Sequence, residues 1–171
     1  MIDVAIRHRE ELIECFRAVW FNPKYKYWNC GNYYEEWDAA ESTWANHQFV
    51  SLDNQGKVIG YIGYQIDRAN DLVYGLNIIN FTDNKVIFGL DCGQAIKDVF
   101  EKYHFRKINF SVVVGNPIEK TYDRMIERYG GAFCGYQRRN VKLIDGQYYD
   151  EKLYEIFGDE YWKKVRYGSN M

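Results

Sequence analysis

The run Phe88-Gly89-Leu90-Asp91-Cys92-Gly93-Gln94-Ala95 is where this 171-residue chain most visibly combines residue types that could do chemistry. Two glycines stand at the start of a helical pattern, where the backbone stays accessible and the first helix amides point outward with the positive end of the dipole. Such a loop can cradle an anion, and a plain structural turn fits the same pattern. No Gly-Lys-Ser/Thr follows and there is no Gly-x-Gly-x-x-Gly, so neither a triphosphate loop nor a dinucleotide fingerprint is present. Cys92 sits where a helix start would favour a thiolate. No histidine is placed by sequence to activate it, which reads Cys92 as a small core or turn residue. The histidines at 8, 47 and 104 and the cysteines at 15, 30, 92 and 134 form no CxxC, HxxxH or HExxH pattern, which argues against a protein-ligated metal.

A second concentration lies in residues 24–45, KYKYWNCGNYYEEWDAAESTWA, where rings alternate with carboxylates. A helix from Tyr34 to Ala45 that packs Trp37 and Trp44 inward accounts for it, and so does a substrate wall built from the same rings.

The elements that must position these residues follow from periodicity. From Val4 to Phe21, apolar residues recur at three and four, which predicts a helix closed by Pro23. His47–Leu52 and Lys57–Ile66 flank Asp53-Asn54-Gln55-Gly56 as a hairpin, and Asp71–Phe81 supplies a third strand. The pattern turns helical over Asp91–Tyr103 and alternates again over Lys107–Val114. A strand, helix and strand in that order imply a crossover between parallel neighbours, with a ligand site at the strands' carboxyl ends. A helix then runs from Asn116-Pro117 to Tyr129, stopped by Gly130-Gly131, before strands at Phe133–Leu143 and Lys152–Ile156 and an aromatic-basic tail.

Length and composition bound the rest. At about 100–200 residues per domain, 171 residues make one unit. Lys plus Arg number 22 against 24 Asp plus Glu, so no positive field gathers nucleic acid. No apolar run approaches the roughly 20 residues of a membrane span, and the chain reads as cytoplasmic with free thiols. With 16 Tyr, 10 Phe and 5 Trp, the rings either line a groove or fill a core.

This order of elements resembles the Gcn5-related N-acetyltransferase (GNAT) superfamily over His47 to Ile156. The family loop Gln/Arg-x-x-Gly-x-Gly/Ala is matched by Leu90-Asp91-Cys92-Gly93-Gln94-Ala95 at Gly93 and Ala95, and departs at Leu90. Asn116 follows the second parallel strand as the family asparagine does, and Gly130-Gly131-Ala132-Phe133 is similar to its Gly-Phe pair. Asp145-Gly146-Gln147-Tyr148-Tyr149-Asp150, followed by Leu153-Tyr154, resembles the end of the ribosomal-protein N-terminal acetyltransferase branch.

The resemblance implies an α/β GNAT-like fold: a mixed, mostly antiparallel sheet with a central parallel pair flanked by helices. It divides one domain into a helical acceptor side (1–45), a core sheet with the cofactor site (46–156) and a tail (157–171). It implies a bacterial, cytoplasmic enzyme moving an acetyl group from acetyl-coenzyme A to an amine of a peptide or small molecule, without nucleic acid or membrane. A homodimer would shield the ring-rich N-terminal surface. A catalytically silent acyl-coenzyme A sensor, or an interaction module on the same fold, is the competing implication.

By the same resemblance, backbone of Ile78 and Ile79 polarises the thioester, and Gly89, Leu90, Asp91, Cys92, Gly93, Gln94, Ala95 and Asn116 hold the cofactor. Counting back from Gly130 to the family's tyrosine reaches Ile126, whereas counting forward from Asn116 reaches Tyr122, the preferred proton donor. The base falls among Glu35, Glu36 and Glu41 or to a water on Tyr74 and Asn77. Tyr33, Trp37, Tyr74 and Asn77 face the acceptor.

Overall fold

Val58–Asp67 is the most deeply buried strand, since nearly every side chain in it has cover on whichever face it points to. The computed structural model of the chain describes residues 1–28 and 36–167. Within them, β1 (Ile2–Val4), β2 (Asn46–Leu52), β3 (Val58–Asp67), β4 (Leu72–Asn80), β5 (Lys107–Val113), β6 (Ala132–Lys142) and β7 (Tyr148–Phe157) form one sheet. Its order is β1-β2-β3-β4-β5-β7-β6, antiparallel throughout except for β4 beside β5. Among the described residues four α-helices flank it: α1 (Arg9–Val19), α2 (Lys85–Glu101), α3 (Glu119–Tyr129) and α4 (Gly158–Tyr167). This is the mixed sheet with a central parallel pair expected from the sequence.

The two faces are covered differently. Leu12, Phe16 and Val19 of α1 bury against Val50, Val58, Tyr61 and Ile79 on one face. On the other, Ile96, Val99 and Phe100 of α2, Tyr122 and Tyr129 of α3, and Tyr161 of α4 close over Ile108, Phe110, Val112, Tyr154 and Ile156. Gly60 allows α2 to seat, because a Cβ there would lie 2.2 Å from the Phe88 ring.

Several boundaries differ from the periodicity. The helix expected from Asp91 begins at Lys85, because Asn84 caps it: its side-chain oxygen accepts from the Ile87 amide at 3.2 Å. The expected helix 34–45 is not formed over 36–45, and Trp44 is 70% exposed with the Arg68 guanidinium 5.2 Å from its ring centroid. Trp37 does turn inward, stacking on Phe16 at 4.8 Å. The N-terminal segment opens with strand β1 and a 3-10 turn (Ala5–His8) before α1. The tail, which carries no helix in the sequence reading, is helix α4, pinned by the fully buried Tyr161 stacked on Phe100 at 4.7 Å.

Candidate functional site

β4 reads Leu-Val-Tyr-Gly-Leu-Asn-Ile-Ile-Asn, and its glycine sets the site's geometry. Gly75 has φ +62, a left-handed value that side-chain-bearing residues resist. Tyr74 pairs with Gln65 and Asn77 with Gly63, so Gly75 and Leu76 bulge opposite the single residue Tyr64. A bulge bends its strand. The parallel partnership of β4 with β5 accordingly holds only at Leu72↔Lys107 and Val73↔Ile108, after which the strands part.

Beyond the parting, the amides of β4 alternate in direction. Phe81 donates to the Ile59 carbonyl at 2.9 Å, so the Ile79 and Asn77 amides point into β3, while those of Ile78 and Asn80 face the gap. Of the expected pair, Ile78 presents its N–H to the gap and Ile79 does not.

A cleft of about 300 Å³ opens at the parting, lined by Tyr74, Gly75, Asn109, Ser111, Leu153 and Glu155 among others. Period-2 alternation in β5 turns Ile108, Phe110 and Val112 to the helices and sends Lys107, Asn109 and Ser111 to the opposite face. There Lys107 Nζ pairs with Glu155 Oε2 at 2.5 Å. Ser111 Oγ donates to Glu151 Oε1 at 2.6 Å, and Asn140 Nδ2 donates to Glu151 Oε2 at 2.6 Å. Asn109 Oδ1 is buried without a hydrogen-bond partner, an arrangement that costs about 1–3 kcal/mol.

A strap from Asn22 to Trp28 spans the carboxyl ends of the parted strands. On the β4 side Lys24 pairs with Asp83 at 3.3 Å, the Tyr25 hydroxyl donates to the Phe81 carbonyl at 3.1 Å, and Trp28 Nε1 donates to Asn77 Oδ1 at 2.6 Å. On the far side Lys26 pairs with Asp145 at 2.8 Å and donates to the Tyr149 hydroxyl at 2.7 Å. Lys26 and Tyr149 together hold the Asp145 carboxyl down at about 2.

The structure distributes the predicted residues unevenly. Phe88–Ala95 is wound inside α2 and forms no loop, which corrects the anion-cradle expectation for that run. Ala95 is buried among Ile59, Ile62 and Phe88. Asp91 accepts from Ser51 Oγ at 2.6 Å and from the Met1 ammonium at 3.0 Å, Gln94 donates to Asp98 at 2.7 Å, and Leu90 is 71% exposed. Cys92 is half-buried and its thiol is pushed up to about 12 by burial and the Asp91 charge, so it stays protonated. Gly89 and Gly93 stand two positions either side of Asp91, which reaches β2; they therefore occupy the opposite flank of α2, toward β5 and α3. A Cβ at either would meet nothing within 4 Å.

Tyr122 lies on that side too, 8% exposed, its ring edge-on to Phe110 at 5.2 Å. Burial, with Cys92 and Tyr154 adding to it, raises its phenol and keeps it protonated. Asn116 is spent on the turn into α3, its Oδ1 accepting from the Ile118 amide at 3.1 Å. Glu36 is exposed and paired with Arg17 at 2.5 Å, which makes it a surface counter-ion; Glu41 is exposed. Trp37 belongs to the α1 core and Asn77 is bound by Trp28, while Tyr74, 41% exposed, lines the cleft. Tyr33 and Glu35 lie outside the described residues. Sequence reasoning missed Asn109, Ser111, Glu151 and Glu155. Their signal was present as polar positions alternating with the apolar ones of two late strands.

No protein-family model matches the chain, and no curated protein does. Solved structures do. A chimera of Vibrio cholerae spermidine N-acetyltransferase SpeG with hSSAT is 19% identical, with TM-score 0.68 over 95% of this chain and 98% of that one. A single-residue variant of the Vibrio cholerae SpeG enzyme is 18% identical, with TM-score 0.67 over 96% and 99%. A dodecameric structure of spermidine N-acetyltransferase from Vibrio cholerae is 23% identical, with TM-score 0.57 over 70% and 68%. Together with the parted β4–β5 pair, these likenesses make the fold GNAT-like. No helix among the described residues is long and apolar enough to cross a membrane.

Proposed function

We propose that this chain transfers an acetyl group from acetyl-coenzyme A to an amine. The observation that carries the reading is the parting of β4 and β5 just past Val73, which opens the sheet between α2 and α3 and turns the Ile78 amide into the gap. When bound, the cofactor supplies a thioester: the acceptor nitrogen forms the new C–N bond as the C–S bond breaks, and the amine gives up one proton while the thiolate takes up one. The Ile78 N–H polarises the carbonyl from the β4 side. Gly89 and Gly93 keep the flank of α2 bare for the pantetheine arm. Tyr122, buried on the α2 and α3 side of the sheet and held protonated, gives the proton to the departing sulfur. The spermidine named in the similar structures, together with the small cleft, supports an aliphatic amine or polyamine as acceptor over the peptide α-amine of the ribosomal-protein branch. Self-association belongs to the same reading, supported by the dodecamer, and light scattering on the purified chain tests it.

Isothermal titration with acetyl-coenzyme A, coenzyme A and dephospho-coenzyme A tests the cofactor. Saturable one-to-one binding is expected, and no binding at millimolar ligand overturns the reading. Tyr122→Phe should then lower kcat by about 100-fold with the fold intact; an unchanged kcat removes Tyr122 from the reaction.

A second reading, a silent acyl-coenzyme A binder, is favoured by one observation. The glycines of the expected loop are wound into α2, and Asn84 has taken the Ile87 amide that an anion would use. Cofactor binding with no turnover on any amine identifies it.

A further inference from the structure

We infer that Asn109 is a specificity-determining residue that accepts a hydrogen bond from an N–H group of the acceptor, an inference that rests on the acyl-transfer reading above. Among the described residues, Asn109 Oδ1 is the one buried side-chain polar atom without a partner, and Asn109 lines the cleft at the point where β4 leaves β5. Buried acceptors are normally satisfied, and Asn109, which lines the cleft, meets that need by turning its amide oxygen toward a donor that enters there. Its neighbours do not meet the need. Lys107 is held by Glu155, and the Ser111 hydroxyl and Asn140 amide are both given to Glu151. The backbone of Asn109 is paired in register with Glu155 of β7.

The ligand must therefore bring a donor. Two carboxylates, Glu151 and Glu155, stand on the same sheet face against the single lysine, which favours a donor carrying positive charge. The remaining walls include Leu153 and the Tyr74 ring, and about 300 Å³ holds a short aliphatic chain. A primary alkylammonium or alkylamine meets all three conditions. A site built to accept an N–H rejects an analogue without one, because the buried acceptor is then left bare.

The test is titration calorimetry of the full chain with 1-butylamine, butane-1,4-diamine and N,N,N-trimethylbutylammonium, which keeps the charge and has no N–H. Wild type should bind both primary amines. Asn109→Leu should weaken them by about ten-fold, the loss of one hydrogen bond to a charged donor, while the quaternary ion binds all variants alike. Asn109→Asp, which can only accept when ionised, should retain or tighten the primary amines. Should Asn109→Leu not fold, the Asp variant decides alone, and its loss of amine binding overturns the assignment. So does equal amine affinity in wild type and Asn109→Leu, or a wild type that binds no primary amine. Acetyl-coenzyme A titrated into the same samples separates the two failures. Absent cofactor binding in wild type removes the acyl-transfer reading, whereas the amine series judges Asn109 by itself.

Discussion

The face of the sheet turned away from α2 and α3 has two halves that are built by opposite rules. Over β1–β4 it is sealed: Phe16 of α1 stacks on Trp28 of the strap at 5.0 Å and on Trp37 at 4.8 Å, with Tyr61 and Phe81 edge-on. Over β5 and β7 it carries Lys107, Asn109, Ser111, Glu151, Leu153 and Glu155, joined by polar contacts and opened by a cleft. On this face the rings of Phe16, Trp28, Trp37, Tyr61 and Phe81 are spent on closure, while the cleft is lined largely by polar side chains of two late strands, with Tyr74 as a ring in its wall. Aromatic richness near a site is evidence of how it is walled off more than of what it recognises.

The largest test of this contrast is Phe16→Ala. Removing a fully buried ring from the middle of the stack should cost about 3–5 kcal/mol in denaturant unfolding. Amine affinity, measured where the variant is still folded, should not change. A loss below about 1 kcal/mol would mean that the stack is no core.

Acid sharpens the picture next. His47, buried against Tyr64 and Tyr103 and near Arg68 and Lys102, is held down at about 4 by burial first and by those two cations second. Its folded value lies below the unfolded one of about 6.5, so the fold favours the neutral ring and the unfolded chain binds more protons between those values. Stability from this group is complete above pH 6.5 and is lost as pH falls toward 4, by up to about 3 kcal/mol. Melting curves of wild type should show that decline, and His47→Gln should flatten it. A parallel decline in the variant would place the acid sensitivity elsewhere.

The smallest expected effect lies on the open half. Ser111→Ala removes one hydrogen bond to Glu151 at a half-buried site and should cost about 1 kcal/mol or less. A cost like that of Phe16→Ala would erase the distinction between the halves.

Much of the fold was legible because it is local. Alternation over His47–Ile66 and Lys107–Val114 and the glycine stop after Tyr129 each report a nearest-neighbour preference, and strands and a helix stand there. The start of α2 was obscured by two glycines that read as a loop. The decisive signal was Asn84, whose side chain reaches the third residue on. The tail helix was missed because its anchor, Tyr161 on Phe100, is a contact between residues 61 positions apart in the chain. The site was the least legible part. That β4 and β5 part after two residue pairs is a property of register between distant segments, and an asparagine in KINFSVV looks like any outward-facing strand residue until its oxygen is seen to be unpaired.

The strap has a consequence for the order in which this molecule assembles. Its bond from Lys26 to Tyr149 joins residues 123 apart, and those of Tyr25 to Phe81, just past β4, and of Trp28 to Asn77 within β4 span 56 and 49. Closures of that length are entropically unfavourable until the sheet has brought their ends together, so they contribute to the native state and little to its folding nucleus. Contacts absent from the transition state govern how fast a protein comes apart. Breaking the Lys26 anchor should therefore speed unfolding while folding proceeds at its usual rate. In native-state hydrogen exchange, the amides of residues 24–28 should open well before those of β3, making the crossing over the parted strands the first part of the molecule to let go.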